Sequence, residues 1–284
     1  MKKKISVSRV VIYFCLCLWA VTTIFPFVWV FNNSFKPRDL IVSNTFAPSI
    51  MEKFTPANYD LAFRRINIGN AYLHSIVVSA SVMAVVILLA GFAAYGLARY
   101  RFKGKKALES LVIASMMFPV FSTIIPVFTM EKGWGIASTN SVWLSLLSVA
   151  LPQIAGNLSF AVIVLMGYIR SLPVDLEESA YIEGCGAIQI FFKIIAPITK
   201  PSLATVAIFS FLWSYNDLFT QMFFLRRKDE FTITRLLNEL TSMEGTNYGL
   251  MAAAVTLVVI PVVITYIFLQ KYIIKGMTAG AIKG

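Results

Sequence analysis

Glu178-Ser179-Ala180-Tyr181-Ile182-Glu183-Gly184 is followed, after nine intervening residues, by Ile194-Ile195-Ala196-Pro197. This polar island between two long apolar runs decides how the chain is read. The glycine stands six residues after Glu178 and the proline thirteen after the glycine. Pro173 suits a first helical turn, and Asp175, Glu177 and Glu178 put negative charge where a helix dipole favours it. Beyond the glycine, Ile188, Phe191, Phe192 and Ile195 follow the spacing of one apolar helix face. Pro197, lacking a backbone donor, is expected to end that second helix. The expectation is helix, glycine turn, helix, an element able to project from a membrane surface into a groove on a partner.

With 58% hydrophobic residues over 284 positions and a mean hydropathy of +0.75, the chain is too apolar for a soluble domain. Crossing the hydrocarbon core takes about 20 mostly apolar residues as helix. Six segments qualify, near Val10 to Phe31, Ala71 to Ala98, Ala107 to Phe128, Ser141 to Gly167, Ser202 to Phe224 and Leu250 to Ile274. The predicted fold class is therefore all-α, an integral membrane bundle of six transmembrane helices with a helix-Gly-helix loop at residues 170–200. With the N-terminus inside, 15 of the 25 lysines and arginines lie on the cytoplasmic face, together with only five of the 14 acidic residues. That distribution sets the orientation, with both termini cytoplasmic. It also accounts for the formal charge of +11 without a nucleic-acid partner.

The start, Met1-Lys2-Lys3-Lys4, precedes an apolar run longer than a secretion signal and lacks a small-residue cleavage site, so it reads as a retained anchor. Cys15 and Cys17 fall in the first apolar segment and Cys185 in the loop, which implies no disulfide framework. Two exterior segments are long, 32–70 and 225–249, and the first carries the turn-forming run Phe54-Thr55-Pro56-Ala57-Asn58-Tyr59. Either one can contact a soluble partner or serve as a solvated connection. Prolines recur within apolar segments at 26, 119, 126, 152 and 261, and Ala90, Gly91, Ala93, Ala94 and Gly96 allow close helix contact.

The acid, glycine and proline spacing resembles the "EAA" loop of permease subunits of binding-protein-dependent ABC importers: Glu-Ala-Ala, three residues, Gly, nine residues, Ile-x-Leu-Pro. Ser179 replaces the first alanine and Ala196 the usual leucine. Further stretches are similar to the carbohydrate-importing branch, that of the second permease of the maltose system. They are Ala93 to Phe102, Arg170-Ser171-Leu172-Pro173, Phe211 to Asp217, and the ending Lys275 to Gly284. The resemblance covers nearly the whole chain, 1–284, as one permease domain. It implies a multi-pass protein of a bacterial or archaeal cell membrane, importing a sugar, with oligosaccharides foremost.

What the resemblance implies about partners is specific: a second, similar permease, two ATPase subunits and an extracytoplasmic solute-binding protein. Coupling to the ATPase falls to Glu178, Ser179, Ala180, Gly184, Ile194 and Pro197. Glu178 would meet a basic group, the small residues would permit close approach, and Ile194 and Pro197 would fix the exit from the loop. No Gly-x-x-x-x-Gly-Lys-Ser/Thr phosphate loop occurs, so no cofactor is expected on this chain, and ATP and magnesium belong to the partner ATPase. One histidine, His74, cannot assemble paired imidazole metal ligands, and no catalytic constellation is apparent. It suits a hydrogen-bonded helix end better than a proton relay.

Trp213, Tyr215, Asn216 and Asp217, with Ser214, are candidates for the substrate pathway, since aromatic faces stack on sugars and amide or carboxylate groups bond hydroxyls. The competing reading is that Asp217 marks the outer interface, where aromatic residues concentrate anyway. Glu131 and Lys132 read as a solvated outer turn. The glycines of the tail, 276, 280 and 284, read as turn positions reaching toward the ATPase pair or as an unstructured end. Alternatives to sugar import are another solute within the same branch, such as a glycerol phosphate, or an autonomous secondary carrier, which would need an intramembrane ion-coupling site.

Overall fold

The computed structural model describes residues 7–65, 67–243 and 247–281. Among them there are helices and turns and no strand. The helices are α1 (Val7–Ser34), α2 (Arg38–Ser43), α3 (Ser49–Glu52), α4 (Ala57–Arg65), α5 (Ile68–Arg99), α6 (Lys105–Ser115) and α7 (Val120–Gly133). They continue with α8 (Val142–Arg170), α9 (Asp175–Ile182), α10 (Ala187–Ile198), α11 (Lys200–Asn216), α12 (Leu218–Phe224), α13 (Ile233–Met243) and α14 (Tyr248–Ala281). Three described helices are long and apolar enough to cross a membrane, Ser8–Ser34, Ile68–Arg99 and Val142–Arg170, and the bent pair α10 and α11 makes a fourth if taken as one span.

All six apolar segments lie on helices, but the third and fifth are divided where one helix each was expected. The third breaks at Met116 to Pro119, where Pro119 is extended and supplies no amide donor. The chain tightens into three-residue turns before it, with Met117 N–H donating to Ala114 O at 3.0 Å and Phe118 N–H to Ser115 O at 3.3 Å. Pro26, Pro126, Pro152 and Pro261 instead stay inside helices. The tail glycines 276 and 280 lie within α14 and form no turn there, while Lys2, Lys3, Lys4 and Gly284 fall outside the described residues.

The chain forms two compact units. One is built from the described residues up to Ile68 and from Leu237–Val263. Its 35–65 segment is a folded cap. Asn58 Nδ2 donates to the carbonyls of Ser34 and Lys36, 2.8 Å each, and closes the C-terminal end of α1. The Phe35 ring stacks on Phe54 at 4.6 Å and tilts against Tyr59 at 5.0 Å. Gly249 is required here, because a Cβ would lie 2.6 Å from the Asn58 amide and 2.9 Å from the Lys36 carbonyl. The apolar side chains of α1 are exposed from Val10 to Val28, and Trp29 and Val30 are half-buried.

The other unit comprises Gly69–Leu236 and the described residues from Ile264 onward. Its core runs along α5, where Val78, Val82, Val86, Ala90 and Ala94 recur every fourth residue, all buried. They share one buried cluster with Val149, Ala161, Leu165 and Ile169 of α8. Lipid is as apolar as leucine, so close packing through small residues is what holds helices together in a membrane. Ala90 and Ala94 serve that role as expected, while Ala93 is exposed. His74 of α5 is buried and hydrogen-bonded, Nδ1 to the Phe231 carbonyl at 3.1 Å.

Glu131 departs from the solvated turn expected of it. Lys132 is exposed, but Glu131 is only 1% exposed and one of its carboxylate oxygens has no hydrogen-bond partner. It lies beyond the apolar segment that ends near Phe128, and burial pushes its carboxyl up from 4.5 to about 7. A raised carboxyl pKa means the fold prefers the protonated form. The stability it contributes is complete below about pH 4.5 and is lost as pH rises through about 7. The thermal midpoint of detergent-purified protein is expected to fall between about pH 5 and about pH 8, and Glu131→Gln to flatten that slope. An unchanged slope in the variant would show that other groups set it.

Candidate functional site

The segment 170–200 adopts the helix, glycine turn, helix form that its sequence foretells. α9 carries Asp175, Glu177 and Glu178 in its first turn. It ends at Ile182, and Gly184 two residues on has a φ of +82°, a left-handed conformation that side chains rarely adopt. Gly184 N–H donates to Tyr181 O and Cys185 N–H to Ala180 O, both at 3.0 Å, which is the Schellman closure of a helix end. Nothing lies within 4 Å of a Cβ built on Gly184, so backbone conformation, and not space, demands glycine.

Successive residues of a helix are rotated by about 100°, so adjacent glutamates face different ways. Glu177 is 3% exposed, and Ala180 is buried three residues on. Arg99 Nε donates to Glu177 Oε1 at 2.5 Å and Tyr95 Oη to Glu177 Oε2 at 3.1 Å, while Arg99 Nη2 donates to Leu172 O at 3.0 Å. Glu178 and Ser179 are exposed, and the Ser179 hydroxyl turns back to Asp175 O at 2.9 Å. Ile182 joins them at 87% exposure. One face of the arm is therefore fixed to α5 and the other is open. Sequence reasoning singled out Glu178 and missed Glu177 and Arg99, which are 78 residues apart.

In the second arm the buried stripe is Ile190, Phe191 and Ile195, while Ile188 and Phe192, expected on the same buried face, are exposed. Phe191 fits against Gly91 of α5, where a Cβ would stand 3.1 Å from its ring. Ile194 is half-buried and Pro197 exposed. Pro197 does not end the helix. A π turn over Phe191–Ile195, with Ala196 N–H donating to Phe191 O, widens the coil ahead of it, and α10 continues to Ile198. The exit lies at Thr199, whose N–H and hydroxyl both donate to Ile195 O, at 2.8 and 2.6 Å, and α11 departs at 82°.

The other candidate cluster divides. Tyr215 is 4% exposed and buried in protein. Asp217 is a helix cap: α11 stops at Asn216, and the Asp217 carboxylate accepts from Thr220 N–H at 3.1 Å and from Gln153 Nε2 at 2.9 Å. Gln153 Oε1 accepts in turn from Ser214 Oγ at 2.6 Å, and Gln221 Nε2 donates to Ser214 O at 3.2 Å. Asn216 and Trp213 are exposed. Trp213 belongs to an aromatic group, 5.1 Å from Phe160 and 6.1 Å from Phe209 between ring centroids. A cavity of about 330 Å³ opens nearby, lined by residues that include Met116, Pro152, Gly156 and Thr220. Gln153 was overlooked in the sequence, although a glutamine inside an apolar run is itself a signal.

Residues 86–279 match the family described as "Binding-protein-dependent transport system inner membrane component". The chain belongs to this family. It is 33% identical over 276 residues to the galactooligosaccharides transport system permease protein GanQ of Bacillus subtilis, covering 96% of this chain and 94% of the relative. It is 32% identical over 270 residues to the diacetylchitobiose uptake system permease protein NgcG of Streptomyces coelicolor, covering 94% and 87%. A crystal structure of a bacterial ABC transporter importing the acidic polysaccharide alginate contains a chain of the same fold, with a TM-score of 0.80 at 20% identity over 94% of this chain and 98% of that one. The family match spans both the 170–200 segment and the helix break at Asp217 of this inner-membrane component.

Removing the Asp217 carboxylate deprives α12 of its cap, at about 1 kcal/mol. It also orphans a Gln153 donor, at about 1 to 3 kcal/mol. Asp217→Ala is expected to lower the unfolding temperature in detergent, and Asp217→Asn, which keeps a capping oxygen for Thr220 N–H but turns an NH2 toward the Gln153 donor, to lower it by less. Equal loss in both variants would show that the bond to Gln153, and not the cap, sets the cost.

Proposed function

We propose that this chain is the permease subunit of an ATP-driven importer of oligosaccharides, and that its 170–200 segment docks on the ATPase. The observation that carries the docking reading is the open face of α9. Glu178, Ser179 and Ile182 stand exposed on an arm whose opposite face is bound to α5, and a left-handed glycine follows. An exposed acid beside an exposed isoleucine, with Ile188 exposed across the turn, suits a groove that offers a cation and an apolar floor. The sugar reading is supported by the relatives, whose names specify galactooligosaccharides and diacetylchitobiose, and by the Trp213, Phe160 and Phe209 rings.

In this reading the chain crosses the membrane six times with both termini and the 170–200 segment in the cytoplasm, as the lysine and arginine distribution favours. A second permease, two ATPase subunits carrying ATP and magnesium, and an extracytoplasmic solute-binding protein complete it. A solved alginate transporter in complex with its periplasmic protein has the fold of this chain, with a TM-score of 0.65 at 15% identity. ATP hydrolysis takes place on the separate ATPase subunits. Closure of the ATPase pair draws the docking segment inward and switches the pathway between its two faces. Trp213, Asn216 and the edge of Asp217 contribute to that pathway, and Ala180, Ile194 and Pro197 act by shaping the docking segment. Broken helices beside a cavity are how membrane proteins place polar groups at depth.

The test is co-purification of tagged chain from its native membrane, with mass spectrometry of what accompanies it. Wild type is expected to bring an ATPase, and a Glu178→Lys, Gly184→Asp double variant to lose it while remaining membrane-inserted. A finer series separates backbone from bulk. Gly184→Asn should retain the ATPase because asparagine tolerates positive φ, and Gly184→Val should lose it through a cost of about 1 to 2 kcal/mol. Wild type without an ATPase would argue for an autonomous carrier.

A further inference from the structure

α5 is held at both of its ends by side chains that the proposed function does not use. At one end Phe92, Tyr95 and Arg99 lie on one face of the helix and grip the two arms of the 170–200 segment separately. Arg99 and Tyr95 hold Glu177 of the first arm. The Phe92 and Tyr95 rings hold Phe191 of the second, at 4.6 and 5.5 Å. Arg99 also bonds the carbonyl of Leu172, just ahead of the first arm. At the opposite end the bonds run to the 231–233 strip. His74 bonds the Phe231 carbonyl at 3.1 Å, and Ile233 N–H donates to Ser75 Oγ at 2.8 Å. Both residues of α5 and both of their partners are buried.

The covalent route out of the 170–200 segment is less direct. It passes Thr199 and an 82° bend into α11, which itself stops at Asn216. α5 has 32 residues without a proline and spans about 48 Å as one helix.

We infer that α5 is a rigid strut that carries movement of the docking segment across the membrane to the 231–233 strip, with Glu177, Arg99 and Tyr95 as positioning residues at one end and Ser75 and His74 at the other. This rests on the importer reading above. The buried ion pair is what makes the joint stiff. Its two charges satisfy each other away from water, and breaking one side leaves the other unpaired in a dry site. A pull on α9 therefore moves α5 as a body, and the strip of the outer connection that α5 holds moves with it. The strut gives the ATPase side and the side that receives solute one shared moving part.

The experiment uses the complete assembly in lipid nanodiscs, with Cys15, Cys17 and Cys185 replaced by serine. Spin labels are placed at the exposed positions Leu176 and Leu73, or at Leu176 and Phe219, so that the docking face of α9 carries no label. Distances are read by pulsed electron resonance without nucleotide and with ATP and vanadate. The expected result is a Leu176 to Leu73 distance that is the same in both states and a Leu176 to Phe219 distance that changes. Glu177→Gln should broaden the Leu176 to Leu73 distribution at least twofold while the ATPase still co-purifies. The Arg99→Glu, Glu177→Arg exchange should narrow it again. Tyr95→Phe, which removes one bond and keeps the ion pair, guards against misfolding and should broaden it less. A nucleotide-dependent Leu176 to Leu73 distance in otherwise unaltered protein, or a sharp one in Glu177→Gln, would overturn the strut alone. Failure to recover the ATPase with unaltered protein would overturn the docking reading and the strut together.

Discussion

A backbone group that loses its hydrogen bond where no water can replace it, in hydrocarbon or inside the protein, must find another partner, and this constraint explains the irregularities of the chain. Where the helix must open, something supplies the missing partner. Before Pro119 the backbone tightens into short turns. Around Pro197 it widens into a π turn, so that the proline ring is accommodated without stopping the helix. At Thr199 the amide and hydroxyl share one carbonyl. At Asp217 a carboxylate caps the new helix and is itself held by Gln153. These substitutions are local, and they place bends where long helices would otherwise run straight.

The same constraint decided which parts of the structure could be read from the sequence. Apolar runs of 20 residues or more announce helices, and the helices occur where those runs lie. The spacing of Glu178, Gly184 and Pro197 announced two arms and a turn, and Gly184 has the backbone that its position required. What the runs conceal is where they are cut. Ser202 to Phe224 reads as one span because Asp217 looks like an isolated acid among aromatics. Its carboxylate caps the next helix through Thr220 N–H, and Gln153, from 64 residues away, holds the other oxygen in place.

Register within the second arm shows a different limit. Ile188, Phe191, Phe192 and Ile195 satisfy one helical face, yet only Phe191 and Ile195 are buried. A period tells which residues share a side; it does not tell which half of a wide side meets the neighbour. That choice was made on α5, where the absence of a side chain at Gly91 admits the Phe191 ring, while Phe192 lies edge-on to Phe92 and stays exposed. The missing information belonged to another helix, 100 residues earlier in the chain.

Glu177 and Glu178 bring these limits to a single step along one helix. Their chemistry is identical, and a sequence pattern built on Glu178 gives its neighbour no role. Rotation by about 100° sends one carboxylate to Arg99 and leaves the other facing outward. The division is useful because each position tolerates what the other cannot. A buried carboxylate must keep a fixed partner, since losing it would strand a charge in a dry site. An exposed one can exchange water for a partner's cation at little cost, and release it again. Under the proposed function, reversible docking belongs to Glu178 and permanent attachment to Glu177, and an arm with only the first would dock without moving anything behind it.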